Sequence, residues 1–235
     1  MSPADYRDTP SKTETSRPTR PRLPKCLGRL LLLFGLVLPG ALTAHPHAWI
    51  DLRVGLIVND RGELMRMEQA WNIDPTYSHV LLEELTRDLG GDIAIDAALE
   101  HAAERMLANL AAYDYFTAIE VDNRSLATPQ ARNGHLDLEG RRLQLRFELS
   151  FEEQGIQAGD GFRYRVYDPE YWIEILHDPD DVVFVENRRG CEVRISDPRP
   201  DAQMVIYAAS LDRQDRSPGE DLGRHFAETA SLECD

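Results

Sequence analysis

From Ala48 to Val58 apolar and polar residues alternate, with Ile50, Leu52, Val54, Leu56 and Val58 on one face and Trp49, Asp51, Arg53 and Gly55 on the other. A period of two predicts a half-buried strand. Asn59-Asp60-Arg61-Gly62 is turn chemistry, so Glu63 to Asn72 reads as the antiparallel partner, with Met65, Met67, Gln69 and Trp71 on one side. The period then changes. Asp74-Pro75 opens a helix to about Leu89, with Val80, Leu81, Leu82 and Leu85 as its apolar face and Gly90-Gly91 ending it. A second helix follows from the cap Asp96 to Tyr113, on Leu99, Ala103, Met106, Leu107 and Leu110.

Beyond Tyr115 the pattern returns to short strands: Phe116 to Val121, Leu136 to Leu138, Leu143 to Phe151, Phe162 to Tyr167, Trp172 to Leu176, Val182 to Glu186 and Cys191 to Ile195. Ala202 to Leu211 reads as a third helix, and Asp221 to Ala230 as a short helix or turn. Strands, helices and strands without regular alternation predict an α+β fold, a mostly antiparallel sheet with two or three helices in a single domain.

Leu30 to Leu38 is apolar, preceded by Arg20, Arg22, Lys25 and Arg29 and followed by Pro39, Gly40, Thr43 and Ala44. That order of charge, apolar run and small-residue exit is the pattern of a secretory signal. Residues 1–44 are therefore expected to be removed, leaving 45–235 as a periplasmic domain. Leu30 to Ala44, broken by Pro39 and two glycines, is shorter than the ~20 residues of a spanning helix.

The whole chain has 26 basic and 41 acidic residues. Seven of the basic and three of the acidic ones lie before residue 45, so the mature protein is near −19 and both lysines, Lys12 and Lys25, leave with the signal. Nucleic-acid binding, which needs clustered cations, is excluded. Cys26 also leaves. Cys191 and Cys234 remain, an even pair expected to form a disulfide in an oxidising compartment.

A cut after Ala44 would start the mature chain at His45-Pro46-His47, placing a free amine and two imidazoles in one short segment. Such nitrogen donors suit zinc, copper and nickel. Pro46 has no amide hydrogen to lose, so a chelate through successive backbone nitrogens cannot form in full, while a brace of the His45 amine and ring with a further imidazole can. Asp51 on the same strand and His177 in the turn sequence His177-Asp178-Pro179-Asp180-Asp181 are further candidate ligands. His79 and Glu83 share a helix face, but no HExxH pattern exists.

Tyr167-Asp168-Pro169-Glu170-Tyr171-Trp172 combines aromatics and carboxylates at a strand break. Asp168, Glu170, Tyr171 and Trp172 form a candidate interaction surface; a paired-carboxylate hydrolase on Asp168 and Glu170 is the weaker alternative. No phosphate loop, nucleophile elbow or dinucleotide fingerprint occurs, so no enzyme activity is expected.

Three segments, His45 to Val54, Tyr167 to Trp172, and Leu222-Gly223 with Phe226-Ala227-Glu228 and Cys234, together resemble a bacterial periplasmic family of unknown function. That family is labelled the periplasmic component of an uncharacterised ABC-type transport system. Its members are often encoded beside nickel/cobalt-type permeases, so the resemblance implies a role in transition-metal traffic with a membrane permease as partner.

Overall fold

A computed structural model describes residues 46–88, 95–180, 183–186, 190–211 and 221–234. Strand β1 (Ala48–Val58) pairs antiparallel with β2 (Leu64–Ile73), in register from Ile50 opposite Ile73 to Val58 opposite Leu64, with a bulge at Ile57 and Val58. The turn between them is built by Asn59, whose side-chain oxygen accepts from the amides of Arg61 and Glu63, and by Gly62 at φ 82°. The alternation in β1 is realised through Val54, its even-numbered residues being almost fully buried, but Gly55, expected on the polar face, and Ile57 are buried as well.

Asp74 caps helix α1 (Pro75–Asp88) by accepting from the amides of Thr76 and Tyr77, and Pro75 occupies the first helical position, where a missing N–H costs nothing. Of its expected apolar face Leu85 is buried, Leu81 and Leu82 are half-buried, and Val80 is exposed. Gly90-Gly91 lies outside the described residues. Helix α2 (Ile95–Leu110) buries Ala98, Leu99, Ala102 and Ala103. It ends three residues before the expected Tyr113 and passes into a 3-10 segment, Ala111–Phe116.

Next come β3 (Thr117–Val121) and β4 (Arg124–Leu126), joined through Asp122 and Asn123, both at positive φ, the two-residue turn whose twist suits a hairpin. β5 (Ala131–Glu139) and β6 (Arg142–Ser150) form a longer hairpin, followed by β7 (Arg163–Val166), β8 (Ile173–His177), β9 (Phe184–Glu186) and β10 (Cys191–Ser196). Helix α3 (Ala202–Ser210) is capped by Asp201, which accepts from the amides of Gln203 and Met204. A 3-10 turn, Leu222–His225, leads to β11 (Thr229–Cys234), a strand where a helix or turn was expected through Ala230.

These elements make an α+β domain with two sheets instead of one. The first has the order β5-β6-β2-β1-β8, and β9 continues along the same edge of β1; β8 and β9 run parallel to β1, and its other pairings are antiparallel. The second, β10-β11-β7-β3-β4, is antiparallel throughout. The core lies between them and α2: Leu52, Leu56, Met67, Trp71 and Phe147 from the first sheet meet Ile119, Tyr164, Val166 and Leu232 from the second. Buried Gln69 joins the sheets by donating to the Thr117 hydroxyl at 3.0 Å and accepting from the Trp71 indole at 2.9 Å. Both its amide atoms are thereby satisfied. Cys191 and Cys234, opposed on β10 and β11, form the expected disulfide.

Candidate functional site

Asp168 follows β7 and is buried, 7% exposed. One of its carboxylate oxygens accepts from the amides of Trp172 and Ile173 at 2.9 and 3.1 Å, the other from that of Glu170 at 3.0 Å, and its carbonyl accepts from the amide of Tyr171. A single side chain thus folds the whole turn on itself, as Asp does where it can mimic the backbone. Burial pushes the Asp168 carboxyl above the ordinary aspartate range, against the lowering effect of those three amides.

The turn lies on the segment Leu222 to Phe226. Gly223 donates its amide to the Pro169 carbonyl at 3.2 Å, and a Cβ at Gly223 would overlap the Asp168 carbonyl oxygen, with the carbonyl carbon at 2.9 Å. Only glycine allows that approach. Tyr171, in the left-handed region at φ 57°, stacks on Phe226 with ring centroids 4.2 Å apart, and its hydroxyl donates to Glu174. Burial, with Glu174 alongside, raises the Tyr171 hydroxyl far above the usual tyrosine range.

His47 completes the corner. Its amide donates to the Trp172 carbonyl at 2.8 Å, and its ring lies 4.8 Å from the Trp172 ring. Trp49 next to it is 48% exposed, and its backbone exchanges hydrogen bonds with Asp74 at the start of α1. The three segments that carry the sequence resemblance, the first more than a hundred residues before the second and the second about fifty before the third, therefore meet at one place: His47 on Trp172, and the turn from Tyr167 on Gly223 and Phe226.

The candidate metal ligands are distributed differently. His45 lies outside the described residues. Asp51 points to the outer face of the first sheet and pairs with Arg142. His177 lies beside Leu52 at the far end of β8, where Ala48 is beside Ile173, so about 16 Å of strand separates it from His47 and about 13 Å separates His47 from Asp51. Both ring nitrogens of His177 are engaged: Nδ1 lies 2.7 Å from Glu228, whose same oxygen accepts the His177 amide, and Nε2 lies 3.0 Å from the Tyr164 hydroxyl. Burial alone would raise Glu228; the hydrogen bonds and charge of His177 outweigh it and hold the carboxyl below its ordinary range. His47, Asp51 and His177 do not converge, and no group of three or more His, Cys, Asp or Glu among the described residues could hold a metal ion.

A cleft of about 340 Å³ opens beside the turn, between the 3-10 segment, β3, Tyr167 and Arg224. Asp114 and Phe116 line it, and together with the buried Tyr115 between them they are three consecutive non-glycine residues in the left-handed region, at φ 51°, 53° and 55°. Each costs on the order of 1–3 kcal/mol and persists only because its surroundings impose it, and such residues gather at functional sites. Sequence reasoning missed this segment because Ala111-Ala112-Tyr113 continues the helical pattern. Tyr167 donates to Asp221 at 3.1 Å, and burial together with that carboxylate pushes its hydroxyl up to about 12.

Fold and corner define an α+β protein with an aromatic turn clamped to its N-terminal strand and C-terminal segment. The chain belongs to the family described as protein of unknown function DUF1007, whose model matches residues 30–234. It is similar to an uncharacterised protein of Haemophilus influenzae, 23% identical over 207 residues that cover 87% of this chain and 98% of the relative. No solved structure matches.

Proposed function

We propose that this chain is an exported periplasmic accessory protein of a transition-metal transport system, for nickel or cobalt, with zinc or copper as further candidates, and that it presents the metal ligands on His45-Pro46-His47. One observation carries the reading: His47 is fixed by its amide and its ring to Trp172, on a turn that Asp168 and Gly223 make rigid. An imidazole held in place loses less freedom on binding a metal than one on a free tail. The Cys191–Cys234 disulfide and the signal-like charge and hydropathy of the leader favour an oxidising compartment. No helix among the described residues is long and apolar enough to cross a membrane.

Because Asp51 and His177 already serve Arg142, Glu228 and Tyr164, the terminal amine and the two histidines remain as the donor set of this reading. The assay is titration of the processed protein with Ni, Co, Cu and Zn. Submicromolar binding that is lost on replacing His45 and His47 by alanine supports the site; affinity unchanged by the double substitution refutes it.

The second reading is a non-catalytic module that docks on the permease through the corner, with no metal site of its own. The half-exposed Trp49, opposite Glu174 just past the turn, favours it, since aromatic anchors of this kind dominate protein interfaces. Capture of the permease that is equally efficient in excess chelator would select this reading over the first.

A further inference from the structure

We propose that the cleft beside the aromatic turn binds a small zwitterion of the betaine type, its quaternary ammonium against Tyr113 and Phe116 and its carboxylate toward Arg224. The cleft, at about 340 Å³, falls within the size range of small-molecule sites. At one end the rings of Tyr113 and Phe116 form an edge-to-face pair at 65° with centroids 6.1 Å apart; Phe116 also stacks on Trp71, and Tyr113, 54% exposed, is the open ring of the lining. Asp114, between them in sequence, adds an exposed carboxylate to the same wall. An exposed aromatic ring with an anion nearby attracts an alkylated ammonium group through the ring quadrupole.

Elsewhere in the cleft the sign reverses. Glu120 is shared among three guanidinium groups, Arg165 at 2.8 Å, Arg163 at 3.2 Å and Arg224 at 3.7 Å. Among the described residues Arg224 makes this one long ion pair, to Glu120, and its side chain is 56% exposed, which leaves donors of its planar fork for a ligand carboxylate. Asp221, the remaining carboxylate of the lining, is occupied by the Tyr167 hydroxyl. A simple cation would meet Arg224, and a simple anion would meet Asp114. A molecule with both charges matches both walls. The strongly acidic chain as a whole also favours the approach of a ligand that leads with its positive end.

The test is isothermal titration calorimetry of the exported protein with glycine betaine, choline and 3,3-dimethylbutanoate, the last replacing the ammonium nitrogen by carbon. Saturable binding of glycine betaine is expected, with both comparison compounds weaker by about 5-fold or more. Asp114→Asn, which keeps a residue at ease in the left-handed region, and Arg224→Gln each weaken betaine by a similar factor. Tyr113→Phe retains binding and Tyr113→Ala loses it; Tyr113 is exposed, and unchanged thermal unfolding shows the variants folded. No saturation up to about 10 mM betaine, equal binding of choline or dimethylbutanoate, or affinity unaffected by Asp114→Asn and Arg224→Gln overturns the proposal.

Discussion

Replacing Gly223 by alanine sets two effects of opposite sign against each other. The residue lies in the 3-10 turn Leu222–His225, outside the positive-φ residues, so backbone propensity alone predicts a gain of up to about 1 kcal/mol. The added methyl would overlap the Asp168 carbonyl oxygen and crowd Tyr167, whose ring carbon lies 3.3 Å from the Cβ position. Those neighbours are backbone and a packed ring, so relief requires lifting the turn, at about 1–3 kcal/mol of overpacking plus about 1 kcal/mol for the Gly223 to Pro169 hydrogen bond. The clash wins, with a net loss of about 1–3 kcal/mol, or about 2–12 °C in the thermal midpoint for a domain of this size. Gly159→Ala, where a methyl group meets nothing within 4 Å, is the control and stays within about 0.5 kcal/mol. Amide hydrogen exchange localises the damage: the amides of Trp172 and His47, bonded to Asp168 and to the Trp172 carbonyl, lose protection first. A Gly223→Ala protein as stable as its parent would refute the idea that the turn and the C-terminal segment are clamped by close backbone approach.

Reducing the Cys191–Cys234 bond, which spans 43 residues of sequence, is expected to cost about 4 kcal/mol on the chain-entropy model, read as a lower urea midpoint in reductant; an unchanged midpoint would disprove the assignment of a stabilising crosslink. Acid should destabilise the fold through Glu120, held below its ordinary range by the Arg165 hydrogen bond, and through Glu228. Their folded-state values are depressed, so their contribution is complete above about pH 4.5 and is lost as pH falls through the folded values; Asp168, shifted the other way, opposes the trend. Thermal midpoints between pH 3 and 6 should therefore fall on acidification, with a shallower slope in Glu228→Gln, and a midpoint that rises on acidification would show that Asp168 dominates.

The sequence was most readable where local chemistry decides structure. β1 could be read from its period, α1 from Asp74-Pro75, and the disulfide from the even cysteine count. Sheet number was not readable, because whether β3, β7 and β11 join β1 or form their own sheet depends on long-range pairings such as Ile119 with Tyr164 and Tyr164 with Ala230. Arg132, Asn133, Gly134 and His135 hid half of β5: an edge strand with a bulge tolerates polar residues that a buried strand would reject. The Asp122-Asn123 hairpin signal was present and passed over. At the candidate site, each motif was visible separately, but their meeting at Trp172 was not, since nothing local to His47 specifies a partner 125 positions later. Asp51 and His177 had plausible ligand chemistry; the structure gives them Arg142, Glu228 and Tyr164 as partners, which only tertiary packing could supply.

The position of β1 also governs how the domain assembles. The opening strand takes β2 on one side at once, yet its opposite edge is completed by β8 and β9, which leave the ribosome or an export channel more than a hundred residues afterwards. Until then an apolar ribbon stays half-paired, and closing so long a loop is slow. The first sheet can close only once Phe184–Glu186 has joined it, so its folding waits on most of the chain.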